Sequence, residues 1–107
     1  MNYGERADGT AKGFGYFGEL QRPDGSVSTE ISIGVGIDGK EVEIPLIVPT
    51  LDKRELDWLL RNDPQEKGYF DKMPPSILDK AYEHAVQRMK AGKSPFASEA
   101  DIEEPPQ

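Results

Sequence analysis

Two runs of alternating apolar residues flank an Asp38-Gly39 pair, and this pattern constrains the fold more than any other feature of the chain. Val27, Thr29, Ile31, Ile33, Val35 and Ile37 share one side of an extended chain. Ser26, Ser28, Glu30, Ser32, Gly34 and Gly36 share the other. Period-two spacing of β-branched residues is the pattern of a half-buried strand. Val42, Ile44, Leu46 and Val48 repeat it beyond the turn. Asp-Gly suits a two-residue hairpin, whose central positions both need positive φ. Pairing Ile37 with Lys40 then sets Val35 against Val42, Ile33 against Ile44, Ile31 against Leu46 and Thr29 against Val48. A slip of one residue would turn the apolar set to the wrong face, so the register is strongly specified.

The rest of the chain supplies a third strand and two helices. Residues 13–21 read as strand one, and Arg22-Pro23-Asp24-Gly25 is a type I turn signal leading into strand two. The product is a three-stranded antiparallel β-meander with strand two central. Pro45 cannot donate to a ladder, which places strand three at an edge. Asp52 with Glu55 forms a capping box for a helix with Leu56, Leu59 and Leu60 on its apolar side and Trp58 flanking. That helix stops before Pro64, and residues 65–73 read as a loop. A second helix opens at Pro74-Pro75-Ser76, carries Ile77, Leu78, Ala81, Tyr82, Ala85, Val86 and Met89 at helical spacing, and closes at Gly92. The expected fold is α+β, with both helices packed on one face of the meander. Residues 1–12 form a flexible N-terminal arm, residues 13–97 a single domain, and residues 98–107 a disordered acidic tail.

Composition narrows the setting. A chain of 107 residues is the size of one domain. It has no cysteine, so disulfides and Cys-based zinc sites are excluded, and a cytosolic or assembled-particle environment fits best. The formal net charge is −7, of which the last nine residues contribute four acids and no base. Without them 13 bases face 16 acids, a net of −3, so generic binding to a phosphate backbone is disfavoured. No signal-peptide pattern opens the chain, and no apolar run approaches the roughly 20 residues of a membrane span.

Several stretches look like chemistry and fail on context. Lys12-Gly13-Phe14-Gly15-Tyr16-Phe17 matches the start of the RNP1 motif, but RNP1 lies on a third strand, and only eleven residues precede Lys12. Glu19 also takes the motif's final aromatic position. Gly13-Phe14-Gly15-Tyr16-Phe17-Gly18 and Gly34-Val35-Gly36-Ile37-Asp38-Gly39 both fit Gly-x-Gly-x-x-Gly. Neither opens a helix, as a dinucleotide site requires. His84, the single histidine, reads as part of a solvated basic stripe with Lys80 and Arg88. Glu30, Glu41 and Glu43 fall on the non-aliphatic sheet face, where they suit solubility and edge protection better than acid–base catalysis. No catalytic, cofactor or metal residues are assigned.

A three-residue Pro23-Asp24-Gly25 loop would set Tyr16 opposite Ser32 and Phe14 opposite Gly34. Aromatics over strand glycines either repair a bare sheet or offer a patch to a partner. Lys12, Phe14 and Tyr16 are therefore the leading partner-binding residues, with Lys93 and Phe96 a second group.

The full string carries a resemblance. It contains Arg6-Ala7-Asp8-Gly9-Thr10-Ala11-Lys12-Gly13 and Arg22-Pro23-Asp24-Gly25-Ser26-Val27-Ser28-Thr29-Glu30-Ile31-Ser32-Ile33-Gly34-Val35. Ile37-Asp38-Gly39-Lys40-Glu41-Val42-Glu43-Ile44-Pro45, Val48-Pro49-Thr50-Leu51, Pro75-Ser76-Ile77 and Gly92-Lys93-Ser94-Pro95-Phe96-Ala97 follow. Over residues 6–97 the chain resembles a family of small uncharacterised phage and prophage proteins, and similar segments resemble modules of large multidomain phage proteins. The resemblance implies a phage setting and a virion-associated or accessory role. The reading is a non-enzymatic phage virion-associated or assembly module that binds a protein partner, located in the virion or host cytoplasm. The alternative is an intracellular accessory protein that inhibits a host defence or nucleic-acid enzyme. An edge strand and the aromatic face both permit homo-oligomers.

Overall fold

The computed structural model describes residues 3–6 and 8–106. The fold is α+β: β1 (Leu20–Gln21), β2 (Val27–Ser28), β3 (Ser32–Ile37), β4 (Lys40–Pro45), α1 (Lys53–Arg61), α2 (Tyr69–Lys72) and α3 (Pro75–Lys90), with a final 3-10 turn at Glu99–Asp101. The strands form two separate two-stranded antiparallel sheets, β1–β2 and β3–β4.

The β3–β4 hairpin has the register its sequence dictates, with Ile37 on Lys40, Val35 on Val42 and Ile33 on Ile44. Asp38 and Gly39 take φ of 50° and 77°, the positive pair that a type I′ turn needs. The Leu46 N–H donates to the Ile31 carbonyl at 2.7 Å, which carries the pairing one step past the hairpin. Ile44, Leu46 and Val48 are buried as expected. Pro45 and Ile47, assigned by alternation to the opposite face, are buried too, because that face is also covered here.

The three-stranded meander does not form. β1 and β2 begin at the predicted offset, Leu20 on Ser28 and Gln21 on Val27, and then part. Thr29, Glu30 and Ile31 are all buried in succession, which breaks the alternation, while Val27 is left 45% exposed. Two local causes act together. Gly15 and Gly18 take φ of 75° and 70°, which turns residues 13–18 away from β3. The Thr29 hydroxyl then donates to the Gly13 carbonyl at 2.7 Å, a contact a ladder would not allow.

The helices follow their end signals. At α1 the Glu55 N–H donates to Asp52 Oδ1 at 2.9 Å and the Asp52 N–H to Glu55 Oε1 at 2.8 Å, a complete capping box. Leu56 and Leu59 face the core, with Trp58 and Leu60 at its margin. The expected loop 65–73 contains the extra turn α2, held because Tyr69 and Met73 are buried and the Tyr69 ring lies 5.1 Å from Trp58. In α3, Ile77, Ala81 and Ala85 are fully buried, whereas Tyr82 and Met89 stay exposed. The helix ends in a Schellman motif, with Lys93 N–H on the Arg88 carbonyl at 2.9 Å and Gly92 N–H on Met89 at 3.0 Å.

Both ends pack against the domain instead of standing free. The N-terminal segment closes on itself through Lys12 N–H to the Gly4 carbonyl at 2.9 Å and a bridge between Glu5 and Ala11. The acidic tail makes its own Ser98–Asp101 capping box, and the Glu103 N–H reaches the Tyr16 carbonyl at 2.6 Å. Residues 1, 2, 7 and 107 of these two segments lie outside the described residues. No helix among the described residues is long and apolar enough to cross a membrane.

Candidate functional site

Three segments distant in sequence meet at one corner of the molecule. Arg6 Nε and Nη2 donate to the two oxygens of Glu30, each at 2.8 Å, a parallel two-bond pair. Glu30 is 2% exposed, and Oε2 also accepts the Gly13 N–H at 3.0 Å. A buried carboxylate needs both a cation and further donors, and Glu30 has them. On its other side the Arg6 guanidinium covers the Phe96 ring, 3.8 Å from its centroid. One arginine thus joins the N-terminal segment, the β2–β3 link and the chain after α3.

A second arginine gathers that exit segment. Arg88 Nε donates to the Ser94 carbonyl at 2.8 Å, and Nη2 to the Phe96 carbonyl at 3.0 Å and to Asp101 Oδ2 at 3.1 Å. Its neighbour on α3, His84, points Nε2 at the Tyr16 hydroxyl, 2.7 Å away, with the rings edge to face. The Tyr16 hydroxyl donates its single proton to the Pro95 carbonyl at 2.7 Å. His84 must therefore carry hydrogen on Nε2 and donate to the phenol oxygen. Burial pushes the Tyr16 phenol up to about 12. Burial first, and then Arg88, hold His84 below its ordinary value of 6.5. A neutral imidazole and a neutral phenol, each occupied by the other, form a strut between α3 and the exit segment. The solvated basic stripe expected for His84 is replaced by this contact.

The five sequence-assigned contact residues separate into two groups. Tyr16 is 2% exposed, so its ring presents no surface to a partner; Gly15 turns it inward, out of step with Phe14. Phe14 is 45% exposed, with its ring over Gly18 and 5.9 Å from the Tyr3 ring. A Cβ on Gly18 would fall 3.1 Å from the Phe14 ring, so the glycine gives the aromatic its seat. Lys12 is half-buried and Lys93 exposed, and Phe96 is half-buried beneath Arg6. The two patches adjoin through Arg6, which touches Phe96 directly and Gly13 through Glu30.

Of the sheet carboxylates, Glu41 and Glu43 come together and Glu30 stands apart. Glu30 is committed to Arg6, while Glu41 and Glu43 lie over Gly34 on β3. A cleft of about 690 Å³ opens between the β1–β2 turn and the end of α1, with Lys12, Arg22, Asp24, Asn62 and Glu66 in its walls. Arg22 is anchored there, Nε on Ser28 Oγ at 2.6 Å and Nη1 on the Leu60 and Asn62 carbonyls at 3.2 Å. Among the described residues no group of three His, Cys, Asp or Glu is placed to hold a metal ion.

The alternating pattern of residues 26–37 hid the clamp, since Glu30 falls in step with Ser28 and Ser32 and reads as solvent-facing. Arg88 was legible as part of the basic stripe on the second helix. The chain matches no family model, no curated protein and no solved structure.

Proposed function

We propose that the chain is a non-enzymatic module that docks onto a protein partner in a phage particle or during its assembly. The observation that carries this reading is Phe14, a half-exposed aromatic held in place by Gly18 and Tyr3. A preset, exposed aromatic is the kind of anchor that dominates protein–protein interfaces. The ionisable groups capable of chemistry support the same reading. Glu30 is held by Arg6, Glu55 by Ser76 and Lys80, and His84 by Tyr16. Each acts as internal scaffolding. The phage setting rests on the resemblance of residues 6–97.

The test is capture from disrupted, gradient-purified particles of the parent phage on the immobilised chain. One virion protein in stoichiometric yield is expected, with about tenfold less on Phe14→Ala at unchanged melting temperature. Equal capture by both forms overturns the Phe14 surface. Stoichiometric capture of a host enzyme from infected cells, with nothing from particles, is the result expected of an accessory inhibitor.

A further inference from the structure

We propose that the outer edge of β3 accepts an added strand from a partner protein, an extended segment that alternates basic with apolar side chains. Antiparallel pairing alternates between residues bonded to the partner strand and residues whose backbone groups face away. Leu46 bonds Ile31, so the parity of the register spends Ile33, Val35 and Ile37 on β4. The N–H and C=O groups of Ser32, Gly34 and Gly36 therefore point outward. Among the described residues β3 pairs only with β4, and both glycines are exposed. This is the edge that residues 13–18 would fill in a continuous meander, and Gly15 and Gly18 carry them away from it. An open edge of six residues without proline, lysine or bulge is a template for strand addition.

The chemistry of the occupant follows from the two faces. A Cβ on Gly34 would lie 2.9 Å from Glu41 Oε1 and 3.6 Å from Glu43 Oε1. Both carboxylates thus reach across the bare glycine toward the edge, and the charge of Asp8 acts on Glu43 as well. Glu43 Oε2 is buried and has no hydrogen-bond donor, while the Ser32 side chain bonds the same carboxylate. Residues opposite one another in a sheet share a face, so a side chain set against Gly34 meets these acids, and its neighbours continue the apolar face of Ile33 and Val35. A second copy fits poorly. Pairing two β3 edges would bring both Glu41–Glu43 pairs onto one face of two chains that each carry −7. The edge follows from backbone register alone, and its use does not depend on the Phe14 surface.

The experiment titrates the full chain at low salt with an end-blocked hexapeptide Lys-Val-Lys-Val-Lys-Val and with its Glu-Val counterpart, reading amide exchange by NMR. The Lys-Val peptide should slow exchange at Gly34 and Gly36 about tenfold, with little effect from the Glu-Val peptide. Gly36→Pro removes one outward donor where an added Cβ meets open space, and should weaken binding about tenfold with β4 pairing intact. Glu41→Lys with Glu43→Lys should reverse the preference between the peptides. No protection, equal protection by both peptides, or protection that grows with protein concentration alone overturns the proposal; the last outcome would assign the edge to a second copy.

Discussion

Arg6 and Glu30, 24 residues apart, meet through two parallel hydrogen bonds of 2.8 Å, and the pair sits where the sheet stops. Glu30 meets the guanidinium just past the end of β2 at Ser28, within the buried run Thr29 to Ile31. The same guanidinium rests on Phe96, so the N-terminal segment and the chain after α3 share one anchor.

Removing that anchor leaves a buried carboxylate without its cation. Arg6→Ala should cost about 3 kcal/mol in urea unfolding, in the range for breaking a buried pair from one side. Glu30→Gln, which keeps an acceptor for the Gly13 N–H, should cost less. Equal and negligible losses would mean that the pair contributes only as a surface contact does.

Two glycines with similar φ should respond very differently to alanine. A Cβ on Gly15 would sit 2.1 Å from the Thr29 carbonyl oxygen, whereas nothing lies within 4 Å of one on Gly25. Gly25→Ala bears only the left-handed backbone cost, about 1 kcal/mol. Gly15→Ala must also move the Thr29 backbone and should lose at least about 3 kcal/mol or fail to fold. Denaturation midpoints of the two variants decide the matter.

Glu55 links α1 to α3 as well as capping α1. Its carboxylate accepts from Ser76 Oγ at 2.5 Å and Lys80 Nζ at 2.6 Å besides the Asp52 N–H. Asp52→Ala should cost about 1 kcal/mol, the worth of a cap. Glu55→Ala removes the cap's return bond and both links to α3, and should cost about 2 kcal/mol. A double-mutant cycle with Lys80→Ala should leave a coupling that Asp52→Ala with Lys80→Ala lacks.

Acid should weaken the fold in two stages. His84 is held below its ordinary 6.5, so the unfolded chain takes up a proton at higher pH than the folded one. Stability is then greatest above 6.5 and falls as pH drops from there toward the folded value. Hydrogen bonds from Ser98, and then Arg88, hold Asp101 well below its ordinary 3.8, so its contribution is present above 3.8 and is lost at lower pH. His84→Gln should flatten the first stage and leave the second. A melting-temperature profile from pH 8 to 3 reads both, and an NMR titration placing His84 at or above 6.5 would contradict the sign.

The parts legible in the sequence are those fixed by residues close together in it. Asp38-Gly39 with its flanking alternation defines the β3–β4 register, and Asp52 with Glu55 and Gly92 after Arg88 define helix ends. Period two failed at Glu30 because its partner lies at Arg6, where local pattern carries no signal. Phe14 and Tyr16 should share a face in a strand, and the positive φ at Gly15 separates them into one exposed and one buried ring. His84 looked solvated from its neighbours on α3, while its real partner, Tyr16, is 68 residues away. Of the candidate contact residues, Phe14, Lys12 and Lys93 keep accessible surface, and Phe96 is partly taken up by Arg6.

The most direct test of the proposed phage-module reading is quantitative mass spectrometry of gradient-purified particles of the phage that the proposal assigns to the chain. A fixed copy number per particle, lowered by Phe14→Ala and restored by Phe14→Tyr, is the predicted result. Absence of the chain from particles while it is abundant in infected cells would contradict it.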